Sequence, residues 1–255
     1  MKKIAGILFL FLSSFSAFAQ IKIHSHNDYL QAAPFFKAYQ QEVYEIEADI
    51  FLVGDSLVVA HSKKEINPAK TLDKLYLKPI AAMFKENHGY ANSSKNYTFC
   101  LMIDVKENWQ AVYPVLKRTI EQYGAIFNRS KNKHAVQIVI SGSRPADSTF
   151  HTYPNWLFFD GLPNVNYAKD DLKRVTMISD NFANYSKWSG AGVLPDADKA
   201  KLQATIRQGD QLNKPVRFWG APDTEASWYQ LQKLGATIIN TDKIEACRAY
   251  FKETK

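Results

Sequence analysis

The sequence predicts an α/β protein, an imperfect (β/α)8 TIM barrel, on three observations. Eight short runs rich in β-branched, aromatic and other apolar residues alternate with helical or irregular segments. The 255-residue chain is long enough for one such domain, which takes ~250 residues. The residues with the most chemical potential fall at the ends of those runs, where barrels of this class build their active sites.

The expected strands are 21–24, 44–49, 99–104, 137–141, 157–160, 175–179, 215–219 and 236–240. Helices are expected over 34–41, 72–87, 108–123, 197–210, 224–234 and 243–252. Asn108 and Asp196 precede apolar-periodic runs and Gly124 follows one, as caps would. The stretches after the fourth and fifth strands look irregular, so the barrel is expected to be imperfect there. The longest connection, 51–98, opens with the turn signal Val53-Gly54-Asp55-Ser56. A hairpin at this point would carry His61 back over the barrel mouth.

Residues 1–19 have the pattern of a signal peptide: Lys2 and Lys3, an apolar Ile4–Leu12 stretch, and a small-x-small site at Ala17-Phe18-Ala19. The expectation is an exported chain, periplasmic or secreted, with a single domain over 20–255. Without the leader's two lysines the formal charge falls from +7 to +5. The remaining lysines are scattered and form no basic stripe interleaved with aromatics, which argues against a nucleic-acid partner. Cys100 and Cys247 have no metal-ligand spacing, and a disulfide between them is not favoured.

Candidate chemistry begins with Tyr-Glu-Ile-Glu-Ala-Asp at 44–49. Strand alternation puts Glu45, Glu47 and Asp49 on one face and the apolar residues on the other. A solvated strand face would show the same alternation. Yet three like charges repel, and a hard cation such as Mg²⁺ or Ca²⁺, which prefers carboxylate oxygens, would relieve them. The run 98–105 delivers Asp104 at a strand end, with Lys106 on the same face. An ordinary ion pair explains that couple alone; beside the acids of 45–49 it suits a cation and a phosphate side by side. Upstream lies His24-Ser25-His26-Asn27-Asp28.

His26-Asn27, Glu47-x-Asp49, His61 and Asp104-x-Lys106, taken in order, resemble the site pattern of the glycerophosphodiester phosphodiesterase and phosphatidylinositol-specific phospholipase C superfamily. The segment 217–243, with Trp219 and the run into Thr241-Asp242, is similar to the last two strands of that superfamily. The likeness extends over about residues 21–245, nearest to a poorly characterised bacterial and fungal branch. It implies a phospholipase C-like phosphodiesterase barrel that acts on glycerophosphodiesters or phospholipid headgroups. His26 and His61 become the acid/base pair, since imidazole titrates near neutral pH. Glu47, Asp49, Asp104 and Asn27 would hold one divalent cation, Mg²⁺ or Ca²⁺, and Lys106, Arg217 and Trp219 would meet the substrate. His24 is expected to support a ligand, and Glu45 to sit deeper and pair with a basic residue, for which Arg217 is a candidate. A monomer with some contact to a membrane surface is the implied state.

Three departures bear on substrate and metal. Asn27 stands where the glycerophosphodiester enzymes usually carry arginine, Asp28 where a small residue is common, and Asp104 where glutamate is usual. The Asp-x-Lys form resembles the spider-toxin sphingomyelinase D branch, which makes cyclisation of the substrate an alternative outcome. Two other classes compete. His24-x-His26 also opens the metal-dependent amidohydrolases, but later strands lack the histidines those enzymes need. A non-catalytic barrel that binds phospho-ligands is the third reading, and the retention of both histidines and all the acids argues against it.

Overall fold

The computed structural model describes residues 21–253. The expected leader therefore lies outside the described residues. Among the described residues nine strands form: β1 (Lys22–Ser25), β2 (Glu45–Val53), β3 (Ser56–Val59), β4 (Cys100–Val105), β5 (Gln137–Gly142), β6 (Leu157–Gly161), β7 (Val175–Asn181), β8 (Val216–Trp219) and β9 (Ile238–Thr241). Eight of them are parallel and close into a barrel in the order β1-β2-β4-β5-β6-β7-β8-β9, with β9 returning to β1. All eight coincide with expected strands. The ninth, β3, pairs antiparallel with β2 through the Gly54 turn, where φ is +58°. This is the anticipated hairpin, and His61 stands just beyond it.

The helices are α1 (Phe36–Gln40), α2 (Lys78–Glu86), α3 (Trp109–Glu121), α4 (Lys169–Leu172), α5 (Asp196–Gln211), α6 (Glu225–Leu234) and α7 (Ile244–Glu253). A π-helical turn, Asp73–Leu77, leads into α2. Asn108 caps α3 by accepting from Ala111 N at 3.3 Å, and Thr224 caps α6 in the same way through Ser227 N. Asp196 is not a cap. Pro195 holds that position in extended geometry, and Asp196 sits in the first turn, paired with Lys199. Only a 3₁₀ segment, Asp147–Thr152, follows β5, and only the four-residue α4 follows β6. The barrel is imperfect where the sequence loses its helical period.

Most of the apolar core lies between strands and helices, in one continuous cluster. A smaller set inside the barrel comprises Cys100, Met102, Val139, Met177 and Ile238. The other interior positions are polar: Glu45, Glu47, Asp49, Asp160 and Arg217 are all buried. The closure is lightly paired, with two register pairs between β1 and β2 and one between β8 and β9. Both cysteines are buried free thiols, and burial pushes each to about 12, so neither is reactive. No helix among the described residues is long and apolar enough to cross a membrane.

Candidate active site

The acids of β2 do not face water. Glu45, Glu47 and Asp49 are 0%, 5% and 1% exposed, which removes the solvated-face reading. Parallel register sets Asp49 beside Asp104 on β4, and carboxylate oxygens of Glu47, Asp49 and Asp104 all lie within 4.8 Å of one another. Their protonation reflects the crowding. Burial pushes Asp104 up to about 6; Lys106 opposes this, and the charges of Glu47 and Asp49 add to it. Asp49 is raised by burial and by Glu47, against the pull of Lys106 and Tyr29. Burial acts against ionised Glu47 as well, but His24, Arg217 and His26 outweigh it and hold Glu47 down at about 2.

The two oxygens of Asp49 are used differently. Oδ2 meets Lys106 Nζ at 2.6 Å, the Tyr29 hydroxyl at 2.7 Å and His61 Nδ1 at 3.2 Å. Oδ1 is buried and has no partner. An orphaned carboxylate oxygen among three clustered acids fits a hard divalent cation, because the donor set is all oxygen. Glu47, Asp49 and Asp104 are the residues that could hold it. Lys106 also lies 3.5 Å from Asp104 and keeps 23% of its side chain exposed, so it can reach an anion at the mouth.

His24 is fully buried. Its Nδ1 faces Glu45 at 2.8 Å and its Nε2 faces Glu47 at 2.6 Å, so the ring ties two acids of β2 to β1 and orients Glu47. Glu45 sits deep, as expected, and its basic partner is His24, not the candidate Arg217. Arg217 is only 3% exposed. Its Nη2 donates to Asp160 at 3.1 Å, and its Nη1 lies 2.7 Å from His24 Nε2. It was expected to line the pocket, but it sits below the mouth and supports the acids from inside the barrel. Trp219, two residues further along β8 and on the same face, is 41% exposed at the strand end. A strand advances ~6.6 Å over two residues, which separates the two roles.

Barrel closure organises the first histidine. His26 follows β1, and its backbone N–H donates to Thr241 O at the end of β9. Its Nδ1 then meets Asp242 Oδ1 at 2.8 Å, a contact between residues 216 apart in sequence. A carboxylate only accepts, so Nδ1 carries the proton and Nε2 is the exchangeable nitrogen. Burial lowers the His26 pKa, but the Asp242 bond and the charges of Glu47 and Asp242 raise it overall. The sequence offered Asp242 only as a residue after the last strand; its partnership with His26 was not visible.

Asn27, at φ +48°, turns the chain so that Tyr29 points back into the site. The Asn27 amide lies 3.0 Å from His26 Nδ1 and 2.8 Å from the Tyr29 hydroxyl, which in turn lies 3.2 Å from His61 Nδ1. Tyr29 was not among the residues singled out from the sequence. Asp28, one of the departures noted above, is structural. It accepts from Ser25 Oγ, Phe35 N and Tyr76 Oη and so pins the loop after β1.

Comparisons with known proteins bear on the family and the fold. The profile of the AIM6-like phosphodiesterase domain matches residues 14–160, more than half of the chain. The chain belongs to that family. A relative from Kluyveromyces lactis, "Altered inheritance of mitochondria protein 6", is 41% identical over 298 residues, covering 88% of this chain and 70% of the relative. A homologue of that protein from Arthroderma benhamiae is 24% identical over 269 residues, covering 91% and 84%. Among solved structures, a glycerophosphodiester phosphodiesterase from Parabacteroides distasonis superposes with a TM-score of 0.58 at 13% identity, over 92% of this chain and 99% of that one. Another, from Agrobacterium tumefaciens, gives 0.51 at 12% identity, over 91% and 99%. At such identities these two establish the barrel fold.

The relatives overturn one expectation. Export was read from residues 1–19, but these fungal proteins are named for the inheritance of mitochondria, which points to a cellular protein and not an exported one. The family match also begins at residue 14, inside the expected leader.

Proposed function

We propose that this protein is a cation-dependent phosphoric diester hydrolase acting on glycerophosphodiesters or phospholipid headgroups. One observation carries the reading: two histidines, each held at Nδ1 by a carboxylate, stand in one hydrogen-bonded site with three clustered acids and Lys106. Phosphodiester cleavage needs a proton taken from the attacking oxygen and one given to the leaving oxygen. His26 and His61 each present a free Nε2 for such transfers, because Asp242 and Asp49 occupy the other nitrogen. Glu47, Asp49 and Asp104 would hold Mg²⁺ or Ca²⁺, with Asn27 as a further neutral candidate. When bound, the ion neutralises charge on the phosphoryl oxygens. Lys106 contacts a further phosphate oxygen, and Arg217 keeps Glu47 ionised from below. Trp219 lines the approach.

Exposed apolar side chains support an amphiphilic substrate. Leu30, Leu162, Val193 and Trp219 are 67%, 41%, 82% and 41% exposed, and each ends a strand or lies in a segment that follows one. That is the end of the barrel that holds the site, which suits contact with a lipid surface by a monomer.

The test is hydrolysis of bis(p-nitrophenyl) phosphate, glycerophosphocholine and lysophospholipid, with Mg²⁺, Ca²⁺ or EDTA, beside His26→Ala and Asp104→Ala. Metal-dependent cleavage that disappears in both variants supports the reading. A cyclic phosphate seen by ³¹P NMR would redirect it to the cyclising branch. No cleavage and no cation binding by calorimetry would leave a non-catalytic phospho-ligand barrel.

A further inference from the structure

The Tyr29 hydroxyl stands within hydrogen-bond reach of three groups. Asp49 Oδ2 is at 2.7 Å, the Asn27 amide oxygen at 2.8 Å and His61 Nδ1 at 3.2 Å. A phenol has one proton to give and lone pairs to accept with. Asp49 can only accept, so the hydroxyl proton goes to a carbonyl or carboxylate oxygen. The Tyr29 oxygen is then left to accept from His61. His61 Nδ1 also faces Asp49 Oδ2 at 3.2 Å, so both of its neighbours take a proton and neither gives one. That selects the Nδ1–H form of the ring and turns Nε2 outward. The side chain of His61 is 55% exposed, whereas Tyr29 is only 8% exposed. Among the described residues, no other hydrogen bond or ion pair holds the His61 ring. On the other side Asn27 Nδ2 lies 3.0 Å from His26 Nδ1, a packing contact because Nδ1 donates to Asp242, so Asn27 and Tyr29 fill the gap between the two histidines.

The geometry points to Tyr29 as a positioning residue that fixes the ring orientation and tautomer of His61 and links it to the His26 side of the site. This rests on the phosphodiesterase reading above for its catalytic consequence, but its structural content stands apart from it. Tyr29 also occupies Asp49 Oδ2, while Oδ1 has no hydrogen-bond partner.

The test is a double-mutant cycle with a spectroscopic arm. Tyr29→Phe keeps the ring and removes only the hydroxyl, and a thermal melt checks that it folds. Loss of a hydrogen bond to charged groups should lower kcat by about ten- to thirtyfold, with KM changed less than about twofold. In a His61→Ala background the same change should cost less than about twofold, because its effect is exerted through His61. Equal costs in the two backgrounds would overturn the proposal. In the spectroscopic arm, the imidazole ¹⁵N shifts of His61 at about pH 8 should report the Nδ1–H tautomer in the unaltered chain and a mixture in Tyr29→Phe. An Nε2–H ring in the unaltered chain, or identical shifts in both, would also overturn it. Should the unaltered chain cleave no phosphodiester, the activity reading fails and the ¹⁵N result alone decides the role of Tyr29.

Discussion

Asp104→Asn should stabilise the cation-free protein while destroying its site. In the folded chain Asp104 keeps its proton up to about pH 6, against an ordinary 3.8. Burial comes first among the causes; Lys106 opposes it, and the charges of Glu47 and Asp49 add to it. Between those two values the folded state binds more protons than the unfolded state, so this group makes stability fall as pH rises through the window. The rise of about two pH units corresponds to ~3 kcal/mol at about pH 7.5 and only ~0.5 kcal/mol at about pH 4. The amide is nearly isosteric and carries no charge. Urea unfolding in EDTA should therefore show Asp104→Asn more stable by roughly 2–3 kcal/mol at about pH 7.5, with the gap almost closed at about pH 4. Saturating Mg²⁺ or Ca²⁺ should reverse the order, because only the carboxylate cluster gains binding free energy. A variant no more stable than the parent in EDTA at about pH 7.5, or a gap that does not shrink on acidification, would refute the idea that burial, together with the charges of Glu47 and Asp49, disfavours the ionised Asp104 when no cation is bound.

Gly142, at φ +70°, faces Asp104 so closely that an added Cβ would lie 2.5 Å from both Asp104 Oδ1 and Val105 O. Gly142→Ala should cost about 1–3 kcal/mol in stability and weaken cation binding measured by calorimetry, since Asp104 must move. Asp242→Asn replaces an acceptor-only carboxylate with an amide that can also donate, so the His26 tautomer is no longer fixed. Steady-state kinetics should show kcat down by about 10²-fold or more with KM little changed. Arg217→Met leaves Asp160 and Glu47 buried without their cation, so chemical denaturation should show a loss of about 3–5 kcal/mol, larger than for either site variant.

Secondary structure was legible because it is written in near neighbours. Period-two alternation in 44–49 and 99–104 located β2 and β4 and put Glu47, Asp49 and Asp104 on inward faces. The Gly54 turn announced the hairpin that brings His61 to Asp49. Loss of helical period after 141 and 160 marked where the barrel has no full helix. Depth along a strand was harder to read: Arg217 and Trp219 share a face, yet one is sealed inside and the other lies at the mouth, because strand tilt and barrel closure set which position clears the rim.

By itself, then, the sequence determined the order of strands and helices, the inward face of the acids and the residue types of the site. Only the tertiary structure decided the pairings. Closure of β9 onto β1 gave His26 its Asp242, the left-handed turn at Asn27 aimed Tyr29 at His61, and packing inside the barrel gave Glu45 to His24 instead of Arg217. Periodicity is a local property of the chain, whereas these contacts join residues up to 216 positions apart and depend on the register in which the last strand meets the first.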